Sequence, residues 1–130
     1  MIKFISDIFK DKKGRLLPCI KAIERVGRLT LIRLRGDIDF DTVRELSNNV
    51  NDEMRGNFNR NIALDFKEVT NVDSSTLAYM ISLLNKLQKK GNKLGVINAS
   101  SQLDSYLTIA RLGLIIHKYR NEEEALEGMT

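Results

Sequence analysis

At 130 residues, with 42% apolar and 29% charged side chains, the chain has the length and composition of one globular domain able to bury a core without staples. Its single cysteine, Cys19, excludes an internal disulfide; no apolar run nears the roughly 18 residues of a membrane span; and Asp7 with the charged run 10–13 excludes a signal peptide, so the cytoplasm is the expected compartment. The net charge of +4 divides into +7 over residues 1–35 (ten Lys/Arg, three Asp/Glu) and −3 over the rest, yet no aromatic separates Phe9 from Phe40 and Trp is absent, so a solvated basic surface fits better than a nucleic-acid reader.

Residues 1–15 place Ile2, Ile5, Ile8 and Phe9 at helical spacing with lysines elsewhere around the wheel, which predicts a short basic amphipathic helix ended by Gly14. Such a helix can pack on its own domain or a second copy, dock on a partner, or lie on a membrane through residues 1–13. Residues 1–18 therefore read as an extension and 19–130 as the domain.

Ile20–Val26 and Leu29–Arg35 read as two strands joined by Gly27-Arg28, a pair suited to a tight hairpin. Leu29 and Leu31 point to one face of the second strand, Ile32 and Leu34 to the other, so both faces are covered in part. Gly36-Asp37-Ile38-Asp39 leaves the sheet. Phe40, Val43, Leu46, Val50 and Met54 form a helical core stripe, with Asp41 or Thr42 as cap and a Thr42–Glu45 capping-box spacing. Residues 62–66 are a short central strand, followed by a turn over Glu68–Asp73. The next helix carries Leu77, Ile81, Leu84 and Leu87 inward, widened by Ala78, Met80 and Leu83, and ends on lysines and Gly91. Leu94–Ile97 is a buried strand, Ser100 or Ser101 caps a third helix, Leu114–Ile116 is a last strand, and Asn121 with three glutamates opens a short final helix. The fold class is α/β: one small mixed sheet, an N-terminal hairpin plus three strands that alternate with helices and run parallel.

Catalytic chemistry is poorly represented. His117 is the only histidine, and one His with one Cys supplies no metal site. Asp37, Asp39 and Asp41 alternate without the glycine and terminal glutamate of a calcium loop. The Glu68–Asp73 turn has no glycine to cradle a phosphate, and Ser74 and Ser75 lack the frame of a hydrolase elbow. A non-enzymatic protein without cofactor is the expectation. The conspicuous feature is Asp73-Ser74-Ser75-Thr76 at a helix start. Asp73 or Ser74 suffices as a cap, which leaves Ser75 free of a capping duty. A phosphate there would add about −1.5 to −2 charges and three acceptor oxygens on a surface a partner could contact.

The runs LTLIRLRGDIDFDTVREL, NIALDFKEVTNVDSSTLAYMISLLNKLQKKGNKLGVIN and LTIARLGLIIHKYRNEEEAL together resemble a STAS domain, in particular the bacterial anti-sigma factor antagonists, over residues 20–126. The resemblance implies a STAS-like fold and a partner-switching role. The second serine of the Asp-Ser-Ser motif, Ser75 here, would be phosphorylated by an anti-sigma factor acting as a serine kinase of histidine-kinase-like ATPase type. A PP2C-type serine phosphatase would reverse it. Asp37 and Asp39 would border the partner surface, with Asp73, Ser74 and Thr76 flanking the switch; homodimerisation is a further expectation. Thr76 stands where the family commonly has glycine. The alternative function is an accessory subunit of a transporter or signalling scaffold, without a phosphorylation cycle.

Overall fold

A computed structural model describes residues 3–6 and 19–129. Six strands form one sheet in the order β1-β2-β3-β4-β5-β6: Lys3–Ser6, Ile20–Val26, Leu29–Ile38, Asn61–Val72, Leu94–Ile97 and His117–Tyr119. β2 pairs antiparallel with both β1 and β3, whereas β3 to β6 are mutually parallel. Four helices complete the described residues: α1 Phe40–Glu53, α2 Ser74–Gln88, α3 Ser101–Ile109 and α4 Glu122–Met129.

Alternation along the strands sorts side chains onto two faces. Ile32 and Leu34 of β3, Leu64 and Phe66 of β4 and Val96 of β5 meet the inward stripes of α1, α2 and α3 in the main core. The opposite face buries Leu29, Leu31, Ala63 and Ile97 under Ala125 and Met129 of α4. That division follows the opposed pointing of Leu29/Leu31 and Ile32/Leu34 expected from the sequence. Gly27 supplies the positive φ of the β2–β3 turn, 58°.

Several expectations are corrected. Lys3–Ser6 is a strand antiparallel to β2, not part of a helix. Its Phe-Ile pair favours extended structure, and pairing it satisfies the otherwise bare edge of β2. The remainder of the proposed N-terminal helix lies outside the described residues. β3 and β4 are longer than expected, because Gly36↔Val69, Asp37↔Asn71 and Ile38↔Val72 continue the ladder. The segment expected as a turn is therefore mostly strand. Two irregularities in that ladder, at Arg33/Arg35 and Gly36/Asp37, explain why the apolar alternation fades there.

The last strand is His117–Tyr119 rather than Leu114–Ile116. Leu114 is 99% exposed and only Ile116 of that run is buried, held by a bond from its N–H to the Leu112 carbonyl. The inner face of α2 is rotated from the expected one: Thr76, Tyr79, Met80, Leu83, Leu84 and Leu87 are buried, while Ala78 and Ile81 are exposed. Lying between α1 and α3, α2 contacts both, which turns Tyr79 inward and Ile81 out.

Candidate functional site

The heads of α1, α2 and α3 gather at the carboxyl ends of β3, β4 and β5, where parallel α/β sheets commonly carry their sites. Each head has a side-chain cap. Asp39, not Asp41 or Thr42, caps α1: its carboxylate accepts from the Thr42 N–H at 2.9 Å and the Thr42 hydroxyl at 2.8 Å. Those bonds, the backbone one foremost, hold the Asp39 carboxyl below the usual carboxylate range. Ser100 caps α3 by accepting from the Leu103 N–H at 3.2 Å.

Asp73 caps α2. Its Oδ1 accepts from the Ser75 N–H at 2.9 Å and, in a short contact, from the Ser75 hydroxyl. Ser74 is exposed and Ser75 half-buried. Thr76 is only 2% exposed, so the flanking position expected of it lies beneath the surface. Its hydroxyl donates to the Ile38 carbonyl at 3.5 Å, and the Asp73 N–H reaches the same oxygen at 3.3 Å. The head of α2 is thus tied to the last residue of β3, immediately before the α1 cap. A third tie runs from the Val72 N–H to Gln102 Oε1 at 3.2 Å. Asp37 is exposed at the end of β3. The structure therefore gathers Asp37, Asp39, Asp73, Ser74 and Ser75 at one end of the sheet, with Thr76 supporting them.

Ser75 also lines a groove of about 470 Å³ between α1 and α2. Phe40, Arg44 and Asn48 supply the α1 wall at i, i+4 and i+8; Ser75, Tyr79 and Ser82 belong to the α2 wall. Phe40, expected in the core, is 63% exposed here because the first residue of α1 sits past the sheet edge. The Tyr79 hydroxyl is buried without a hydrogen-bond partner among the described residues, and burial, with the Cys19 thiol, pushes its pKa up. Sequence reasoning missed Phe40, Arg44 and Tyr79 as groove residues. The available signal was the i, i+4 spacing of Phe40 and Arg44, legible only once Ser75 is known to face α1.

A second polar cluster lies on the other face of the sheet. Arg33 binds Glu24 at 2.9 Å, Asp65 at 3.1 Å and Glu122 at 2.7 Å. Glu24, foremost by its hydrogen bond, pushes the Arg33 pKa up. This knot joins β2, β3, β4 and α4 and is separated from Ser75 by the sheet itself. His117 is exposed on β6. No group of three metal-ligating side chains is present among the described residues, nor is any helix there long and apolar enough to cross a membrane.

The sequence profile of the STAS domain matches residues 21–125. Curated protein sequences yield no match. Among solved structures, a Thermotoga maritima protein designated an anti-sigma factor antagonist gives a TM-score of 0.75 at 18% identity, covering 82% of this chain and 92% of that one. The anti-sigma factor antagonist SpoIIAA in its unphosphorylated form gives 0.68 at 21% identity, covering 83% and 96%. The Bacillus cell fate determinant SpoIIAA in its phosphorylated form gives 0.66 at 21% identity, covering 82% and 96%. At these identities the likeness is one of fold.

Proposed function

We propose, from the premise that the chain belongs to the STAS domain family, that it is an anti-sigma factor antagonist working by partner switching, with Ser75 as the phosphorylated residue. The observation that carries this reading is the position of Ser75: half-buried at the rim of the α1–α2 groove, on a helix head whose cap and anchors do not require its hydroxyl. SpoIIAA, a neighbour in fold, has been solved in unphosphorylated and phosphorylated forms.

The unmodified form binds the anti-sigma factor, a serine kinase of histidine-kinase-like ATPase type, through the surface that includes Asp37, Asp39, Asp73 and Ser74. In the kinase reaction Ser75 Oγ attacks the γ-phosphorus of ATP. The bond from that phosphorus to the β–γ bridging oxygen breaks, ADP leaves, and the hydroxyl proton passes to a base of the kinase. The product carries about −1.5 to −2 additional charges at the rim of the groove. The positive end of the α2 dipole favours that charge, whereas a partner presenting carboxylates or apolar groups does not. A PP2C-type phosphatase restores the hydroxyl. The setting is the cytoplasm, where ATP and both enzymes meet.

Intact-mass analysis after incubation with kinase and ATP is the direct test. The wild type and Thr76→Val should gain one phosphate and Ser75→Ala none. Ser75→Ala should bind the kinase as the unmodified protein does, and Ser75→Asp at least tenfold more weakly. Phosphate gained equally by Ser75→Ala, or unchanged binding by Ser75→Asp, would remove Ser75 from the switch.

A further inference from the structure

We infer that Arg44 receives the Ser75 phosphate across the groove, so that modification locks α1 to α2 and fills the surface the partner uses. This rests on Ser75 being the modified residue and names how modification acts.

The argument begins with the bond that is lost. The Ser75 hydroxyl now donates to the Asp73 carboxylate. A phosphate ester has no hydroxyl proton there, so the bond disappears. The new dianion also stands beside a carboxylate of like charge and is driven away from Asp73. Ser75 borders the α1–α2 groove, and the one cation lining that groove among the described residues is Arg44. Its guanidinium has no hydrogen-bond or ion-pair partner among the described residues, so no existing pair must break.

The levels match. α1 and α2 each follow a strand of the parallel part of the sheet, so their heads lie at the same end. Ser75 is the second residue of α2 and Arg44 the fifth of α1. At about 1.5 Å per residue the offset is about 4.5 Å, and helical side chains lean toward the N-terminus, which brings Arg44 back toward Ser75. Phe40 lies one turn before Arg44 on the same stripe, so a pair formed there sits next to the exposed aromatic ring. A guanidinium binds phosphate through two parallel N–H bonds, which gives the pair a fixed geometry as well as attraction.

The test builds phosphoserine into position 75 during translation, in the otherwise wild-type chain and in Arg44→Gln, and follows each phosphate by phosphorus NMR as pH is varied. The other charged groups near the phosphate are the same in both proteins: Asp73 on its own helix, and Asp39 and Asp41 at the head of α1. With Arg44 present the dianion should persist to lower pH, by about half a unit or more, against an ordinary second pKa of about 6. The Arg44 Nε–H resonance should also shift on phosphorylation. Arg44→Lys should fall between the two, since it keeps the charge and loses the fork. Coincident titrations of the wild type and Arg44→Gln would overturn the inference. Because the phosphoserine is built in, the titration decides the Arg44 contact separately from the kinase assay that decides Ser75 as substrate.

Discussion

Replacing Asp73 by Ala should lower the melting temperature by about 5 °C and leave the fold intact. The carboxylate does three things at the α2 head: it accepts from the Ser75 N–H at 2.9 Å, it accepts from the half-exposed Ser75 hydroxyl, which water takes over on truncation, and it places negative charge at the positive end of the helix dipole. Loss of an N-cap acceptor costs about 1 kcal/mol, and the charge at a half-exposed helix end adds about 0.5 kcal/mol. Unfolding entropy near 60 °C is about 2.1 cal/mol/K per residue, or about 0.27 kcal/mol/K for this chain, so about 1.5 kcal/mol corresponds to about 5 °C. Asp73→Asn separates the two contributions. It keeps an acceptor oxygen and loses only the charge, so it should fall by about 2 °C. Calorimetry at pH 7 in low salt, then in about 0.5 M salt, is the assay. Salt should shrink the deficit of Asp73→Asn and leave most of that of Asp73→Ala. A drop below 1 °C for Asp73→Ala, or equal drops for both variants, would refute the capping account of the α2 head.

The Arg33 knot should carry more stability than any surface pair. Arg33→Met removes the ion pairs that Arg33 makes with Glu24 and Asp65, whose side chains are 8% and 6% exposed, although Asp65 keeps bonds from the Lys67 N–H and Asn98. The expected loss is about 2–3 kcal/mol, or about 10 °C, measured by urea unfolding and calorimetry; an unchanged urea midpoint would show that the knot adds nothing. Burial pushes the Cys19 thiol up to about 11 from an ordinary 9.0. The unfolded thiol then ionises before the folded one, so the thiol's contribution to stability is complete below pH 9 and is lost as pH rises to about 11. Cys19→Ala should show a shallower loss over that window, and identical pH profiles would refute the account.

Elements with one strong local signal were legible in the sequence. Leu94–Ile97 is the expected strand to the residue, because a four-residue apolar run between Asn92-Lys93 and Asn98 has no competing period. Asn121 caps α4 as expected, accepting from the Glu124 N–H at 2.9 Å. What was misread depends on partners distant in the chain. Lys3–Ser6 has helical spacing around it, and only the free edge of β2 makes it a strand. Leu114-Ile115-Ile116 looks like a strand by composition, yet the parallel partner of β5 begins at His117. Phe40 fits the α1 period but lies beyond the sheet that would bury it. The same limit applied to the site. The Asp-Ser-Ser run was visible as a chain segment, whereas the groove that gives Ser75 its setting is built by α1, about 30 residues earlier in the chain.

The anchors of the α2 head bear on how a phosphate at Ser75 would act. Thr76 and the Asp73 N–H both reach the Ile38 carbonyl, and the Val72 N–H reaches Gln102; none of these uses the Ser75 side chain. Phosphorylation deletes one half-exposed hydrogen bond, whose loss water largely offsets, and sets a dianion beside Asp73, a like-charge repulsion of about 1 kcal/mol in water. The dipole of the head and the inferred Arg44 pair return about 1 kcal/mol. The two nearly cancel, so the phosphoserine form should melt within about 3 °C of the unmodified protein. Its amide spectrum should change only around the heads of α1 and α2. A loss of 8 °C or more, or amide changes spread through the core, would mean that modification melts the α2 head, and the partner would then be released by unfolding rather than by charge. The position after Ser75 separates these outcomes. Thr76→Gly removes the hydroxyl tie to Ile38, leaving that of the Asp73 N–H, and adds backbone freedom near the helix start, so in that variant the phosphate should cost visibly more stability than in the wild type.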